Sequence, residues 1–521
     1  MGTRRVRASR RRRRRNGDAD RVSGLPDELL HEILLRLPST ADAARTSLLS
    51  RRWRRVWTQV PAISLTDGDQ ARGASILDAV DAAIAAHPAP ALDRLAISLE
   101  DEWDSPWCRE LDIAARVAPW LRFASRRHAG ELKLHLDRPR RYGWIDISSA
   151  PWAALKVPVC ERATAIDVNV EHYGLKLRFR ASGEFSALRV LKITGGFRLH
   201  ERSLERAVSS QLPRLQELTL CNNNDCRRNL TIRSDSLERL KLGLQVKGTI
   251  TVQTPRLVRF KMPSLLGLDR LQRAHIAAPN LAEMTWYDTY DPRHNRITEA
   301  PRHLRRLKVR LYCLPSWRRC SNGFDTVDEL DLRVRIPPPR LGLGILRPFG
   351  GPSALPSFMR HQEWEFECKA FMKETARLPQ CKVLKLSIDP YELQEYSIVV
   401  LHLLRSCANA IKIVLYLDLH GQKVSDFSHP IKKEQGRSSC GSQLTTDGLV
   451  LDSLEELELN FYWLEDREVD MVNQLLPSCG ADLKRVVIRA LGGLSSELSS
   501  GKLETVAGFC RPETTIEFHG P

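Results

Sequence analysis

No uninterrupted apolar run in the sequence is long enough to cross a bilayer. The best candidate, YSIVVLHLLRSCANAIKIVLYLDL at 396–419, carries His402, Arg405 and Lys412, each costly in hydrocarbon. None of the 12 cysteines forms a Cys-x-x-Cys. Cys221 and Cys226 flank a short polar run with no His/Cys pair following at zinc spacing, so no structural zinc site is expected. The opening residues lack the apolar segment of a secretory signal, and reduced thiols in the nucleus or cytoplasm are the expectation. No Walker loop, Gly-x-Ser-x-Gly or His-Glu-x-x-His occurs. Gly342-Leu343-Gly344 lacks the third glycine of a dinucleotide loop and follows three prolines. The 14 histidines do not cluster with cysteines or carboxylates. These absences leave no catalytic signature, and neither a cofactor nor a metal is expected.

What is present begins with size. A chain of 521 residues exceeds what one hydrophobic core usually supports, so several domains or a repeat architecture is expected. Hydrophobic residues at 42% and charged residues at 27% are ordinary for a folded protein, but the net charge of +17 is not. Nine arginines and no acid fall in residues 1–15, which alone supply +9 of it. Like charges this dense repel and bury nothing, so residues 1–19 are expected to be a disordered Arg-rich tail. Such a tail reads equally as a nuclear import signal, a polyanion-binding arm or a solvated extension. The remaining body is mildly basic and shows no aromatic–basic stacking platform, which argues against nucleic acid as its main partner.

Residues 25–57, LPDELLHEILLRLPSTADAARTSLLSRRWRRVW, predict three short helices. Pro26 suits a first helical position, with Asp27 and Glu28 favourable in the first turn. Leu29, Leu30, Ile33, Leu34 and Leu37 then make a broad apolar face that Pro38 ends. Ser39 and Asp42 resemble a capping box, and Ser50 can cap a third helix with Trp53, Val56 and Trp57 on one side. Three helices this short cannot bury all of that surface between themselves. From periodicity alone, the covering partner is either the rest of the chain or another protein.

Residues 20–65 closely resemble the plant F-box motif. The elements DRVSGLPDELL, ILLRLP and AARTSLLSRRWRRVW occur in that family's order and spacing. The resemblance implies a module that binds the Skp adaptor of a cullin-RING ubiquitin ligase, with cullin joined through the adaptor. It further implies adaptor-facing or helix-setting roles for Leu25, Pro26, Leu29, Ile33, Leu34, Leu37, Pro38 and Leu49, with Trp53 packing the third helix.

The rest of the chain repeats a strand-like phrase, apolar-x-x-apolar-x-apolar. At 42% hydrophobic content three set positions match by chance about 7% of the time, so spacing, not matching, carries the signal. The middle anchors Leu218, Leu240, Phe260, Met284, Leu307 and Leu330 are separated by 22, 20, 24, 23 and 23 residues. That period fits leucine-rich repeats, in which stacked strand-turn-helix units share one core and line a surface with their strands. Weaker units precede at 92–97, 129–134 and 163–168 and follow at 381–386, 454–459 and 483–488. The region resembles the irregular leucine-rich repeats that follow the F-box in many plant proteins. Only LQELTLCNN carries that family's asparagine, at Asn223, so an irregular solenoid is expected. The expected architecture is α plus α/β: a three-helix F-box at 20–65, a solenoid or horseshoe at 66–335, a Pro/Gly-rich interruption at 336–380, and further repeats at 381–521. The C-terminal part of these, 475–521, weakly resembles the FBD segment that ends some plant F-box proteins, and it is expected to cap the last repeat.

Basic side chains alternate with strand apolars at Arg305, Arg306, Arg310, Arg333 and Arg335. They read either as solvated repeat surface or as a basic floor for an acidic substrate or small anion. Together these readings predict a noncatalytic receptor that holds an unknown target protein for ubiquitination. A repeat scaffold outside any ligase and a nucleic-acid-associated protein guided by the tail are the alternatives.

Overall fold

The computed structural model describes residues 24–66, 76–88, 90–99, 113–136, 153–170, 175–180, 183–196, 198–262, 273–287, 295–312, 324–336, 371–373, 375–376, 378–390, 396–417, 449–464, 466–494, 508 and 512–519. The Arg-rich tail, the Pro/Gly-rich stretch from 337 and the polar stretch 421–448 lie outside the described residues. Two compact units divide the chain, one taking in residues 1–146 and 160–168, the other 147–159 and 169–521.

The first unit opens on α1 (Asp27–Leu35), α2 (Thr40–Arg45) and α3 (Trp53–Val56). Pro26 stands one residue before α1 in extended backbone, and its carbonyl accepts from the N–H groups of Leu29 and Leu30 at 3.2 Å. Ser39 caps α2 as its sequence suggests, its Oγ accepting from Asp42 N–H at 3.1 Å. The Ser50 cap is stretched, 3.5 Å from Trp53 N–H. This unit continues past the helices through three parallel strands, β1 (Ala62–Thr66), β2 (Arg94–Leu99) and β3 (Glu131–Leu136). Helices α4 (Ile76–Ala86) and α5 (Ile113–Arg126) connect them. Trp120, 1% exposed, joins the two helices by donating its indole N–H to Asp81 at 2.6 Å.

The second unit is built on long parallel ladders. Its earlier strands are β4 (Ala153–Val157), β5 (Ala165–Val170, which crosses the division), β6 (Leu175–Phe179), β7 (Val190–Gly195) and β8 (Arg198–Leu199). Then come β9 (Glu217–Arg233), β10 (Arg239–Gln253), β11 (Arg259–Met262), β12 (Arg273–Ala277), β13 (Glu283–Trp286) and β14 (Asn295–Thr298). The last are β15 (His303–Tyr312), β16 (Thr326–Ile336), β17 (Gln380–Pro390), β18 (Lys412–Leu417), β19 (Glu456–Leu464), β20 (Arg485–Leu494) and β21 (Thr515–His519). The repeat anchors pair in register one after another: Leu191, Leu218, Leu240, Phe260, Met284, Leu307, Leu330 and Leu384. The row continues through Ile413, Leu457, Val486 and Ile516. All but the last of these anchors are buried, so each rung covers the apolar face its neighbour cannot cover alone.

The element between strands differs from the expected helix in the middle of the unit. The second half of β9 pairs with the second half of β10, which pairs with β12, which pairs with β14, making a second parallel ladder behind the first. Leu230, Ile232, Ile250, Val252, Ala274 and Ile276 are buried along it. A smaller sheet, β4–β6–β8, precedes it. Alternating Ile, Val and Leu separated by Thr and Arg favour extended backbone over a helical turn here. Helices return as the second element at α7 (Tyr396–Ser406) and α8 (Asp466–Leu475), after the short α6 (Glu201–Arg206) earlier. The apolar stretch at 396–419 is thus helix α7 followed by β18, and no described helix is long and apolar enough to cross a membrane.

Candidate functional site

Helix α1 puts Leu30 and Leu34 on one face and Leu29 and Ile33 on the adjoining one. The first pair is buried with Ala43, Trp53, Val56 and Val60 in a small core, on which Leu25, Leu37 and Trp57 pack from its edge. The second pair stands open to solvent, and so does Leu35. Beyond α2, Leu48 is 85% exposed and Leu49 68%. Arg52 fixes this second apolar element near the first: its guanidinium donates to Asp27 Oδ1 at 2.8 Å and to the Leu25 carbonyl at 2.6 Å. That ties the turn after Leu49 to the first turn of α1.

The nine positions implied by the resemblance therefore separate into groups. Leu29, Ile33 and Leu49 are exposed apolar side chains. Leu34 and Trp53 are interior, 3% and 4% exposed, within the core that holds the helices together. Leu25 and Leu37 lie half-buried on the rim, and Pro26 and Pro38 are exposed chain-turning residues. Leu37 and Pro38 also line a cleft of about 450 Å³, together with Arg94 and Glu131. Leu35 and Leu48 are exposed apolar residues outside those nine. The Leu48-Leu49 doublet is the sequence signal for the second of them, because two adjacent leucines in a single tight turn cannot both face the core.

Isolated exposed leucines are ordinary, whereas Leu29 and Ile33 on one face of α1 and the Leu48-Leu49 doublet tied to its first turn make four large uncovered apolar side chains in a module of about 40 residues, which calls for cover. The comparisons with known proteins name it. A protein-family model for the F-box domain matches residues 22–63. Residues 22–63 are an F-box domain.

An F-box/LRR-repeat protein of Arabidopsis thaliana is 56% identical over 46 residues, 9% of this chain and 10% of the relative. An F-box/FBD/LRR-repeat protein from the same plant is 26% identical over 254 residues, 47% of this chain and 51% of the relative. A putative FBD-associated F-box protein, also from that plant, is 29% identical over 261 residues, 48% of this chain and 54% of the relative. The chain spans about half the length of the longer matches. Over these stretches the chain is similar to plant F-box proteins whose names include leucine-rich repeats and an FBD segment.

The basic positions downstream of the F-box behave differently from a uniform basic floor. Arg305 and Arg259 both donate to Glu283, and Arg306 donates to Glu329 at 3.0 Å. Burial raises the Glu329 pKa, but its bonds to Lys385 and Arg306 outweigh burial and hold the carboxyl below its ordinary value. Arg305 and Arg306 are therefore already neutralised within the ladder. Arg310 instead stacks over the Tyr287 ring at 4.9 Å, and Arg333 is exposed beside it in register. The side chain of Arg335 lies outside the described residues. Asn223 lies on β9, and its side chain is likewise not described. Among the described residues, no group of three or more His, Cys, Asp or Glu side chains could hold a metal ion.

Proposed function

We propose that this chain is the substrate-recognition subunit of a Skp–cullin–F-box ubiquitin ligase. The observation that carries the reading is the uncovered apolar surface of the F-box domain, Leu29, Ile33, Leu48 and Leu49. A helical adaptor can bury it, at roughly 1.5–3 kcal/mol per fully covered Leu or Ile before association costs. In this reading the parallel ladders are an irregular leucine-rich-repeat solenoid, and their solvent-facing strand positions bind the target protein. The chain supplies no chemistry. It holds the target near a ubiquitin-charged enzyme and raises its effective concentration there.

The test is co-precipitation of the full chain with plant Skp-like adaptors. Wild type is expected to capture an adaptor, and Leu29→Glu/Ile33→Glu to lose it while keeping its circular dichroism spectrum. Failure of the wild type to capture any adaptor, or equal capture by both, overturns the reading.

A further inference from the structure

The solvent-facing side of the front ladder in the second unit is divided sharply by charge. In every rung, the outward positions are those in register with Arg306, Lys308 and Arg310. From the rung at 190–194 to that at 383–387 they hold ten cations and four carboxylates, a net charge of +6. In the four rungs from 412 to 519 they hold three of each. Within the basic part, all four carboxylates are already paired: Glu217 with Arg239, Glu283 with Arg259, Glu329 with Arg306 and Asp331 with Lys308. What remains uncompensated is Lys241 and Lys261, exposed on adjacent rungs, and Arg310 and Arg333, on the adjacent pair of rungs that follows the Tyr287 rung. Among the described residues no carboxylate pairs with any of these four. Tyr287 sits in the rung between the two pairs, its ring held against Arg310.

Parallel strands are about 4.8 Å apart, so the four steps from the Lys241 rung to the Arg333 rung span about 19 Å. An extended peptide advances about 3.3 Å per residue, so about six residues cover that span. We propose that this face binds an acidic segment of the target, about six residues long and rich in Asp or Glu, held in extended form across Lys241, Lys261, Arg310 and Arg333. The proposal rests on the reading of the ladders as the target-binding part and gives that target its chemistry. Charge complementarity is what selects the occupant: the paired arginines of the same face are already satisfied, and these four cations are spaced for a strand and not for a single small anion.

The experiment is fluorescence anisotropy of the full chain with a labelled peptide carrying about six consecutive acidic residues. The titrations are run with the nine arginines of residues 1–15 replaced by serine in the reference chain and in every variant, so that binding by that segment does not mask the ladder. Lys241→Glu/Lys261→Glu and Arg310→Glu/Arg333→Glu are each expected to weaken the peptide about tenfold, since exposed ion pairs are individually modest. The first double variant is also expected to gain affinity for a Lys-rich peptide of the same length, which a merely unfolded protein would not do. Equal binding of the acidic peptide by wild type and both variants overturns the proposal. So does a single-stranded RNA of similar charge that competes with the peptide and loses the same factor, because the face would then read charge alone. Adaptor capture by these variants is expected to be unchanged, so this proposal and the F-box reading fail separately.

Discussion

Comparing Leu34→Ala with Leu48→Ala/Leu49→Ala separates the two jobs of the F-box leucines. Leu34 is 3% exposed in a core of six buried residues. Its truncation removes buried methyl groups and leaves a cavity that so small a module cannot close, at about 2–5 kcal/mol. A module of about 40 residues has little stability to lose, so α1 and α3 are expected to open. Leu48 and Leu49, at 85% and 68% exposed, give up almost no folded-state contact, and their truncation is expected to change stability by less than about 0.5 kcal/mol. If an adaptor covers them, each truncation removes roughly 1.5 kcal/mol of interface desolvation, and the pair weakens adaptor binding about 100-fold. Hydrogen exchange read on peptides from 25–60 measures the first effect, and calorimetric titration with purified adaptor the second. The reasoning is refuted if the Leu48/Leu49 variant exchanges as fast as Leu34→Ala, or if it binds adaptor as wild type does.

Three further outcomes follow from particular contacts. His87 is buried with its Nε2–H donating to the Val60 carbonyl at 2.9 Å. Burial, reinforced by Arg127 and opposed by that hydrogen bond, holds its pKa below the ordinary histidine value of 6.5. The unfolded chain therefore takes up this proton first. Stability of the first unit is expected to fall as pH drops below about 6.5, and the slope to flatten in His87→Gln; parallel pH profiles of the two in amide exchange would contradict this. Gly195 adopts φ +119°, and a Cβ there would stand 2.3 Å from the Val170 carbonyl oxygen. Gly195→Ala is expected to cost about 2–3 kcal/mol in urea denaturation, and an unchanged midpoint would show that the strand can shift. Glu517 on β21 is held at a pKa of about 2 by its hydrogen bonds to Arg485, at 2.8 Å, and to His519. The protection it gives β21 is expected to be complete above about pH 4.5 and lost as pH falls toward 2, with Glu517→Gln lacking that acid step in amide exchange.

The unequal legibility of the two ladders has a physical cause. From Leu218 to Leu330 the rungs of the front ladder offer two or three large apolar residues at alternate positions, most of them after a Pro or Ser turn, at a spacing of 20–24 residues. Chance reproduces one such phrase easily but not six at that interval, so spacing alone is enough to put Leu218 through Leu330 in register. The back ladder offers Leu230 and Ile232, Ile250 and Val252, or Ala274 and Ile276, two apolar residues at a time among Thr, Arg and Gln. Two alternations are too few to distinguish a strand from a turn, and what makes these segments strands is the neighbour already in place: β10 has β9 on one side and β12 on the other. The F-box shows the same limit at the level of side chains. Helical spacing puts five residues on one broad face of α1, but the division of that face between a core with Trp53 and an uncovered ridge depends on where α3 packs. In the sequence the charge pattern is legible only as a series of arginines. Register shows that Arg305 and Arg306 answer Glu283 and Glu329, residues more than 20 positions away in sequence, while Lys241 and Lys261, which no local pattern marks, are left facing solvent. Local alternation specifies which residues point outward; only the stacking of rungs decides which of those charges are still available to a partner.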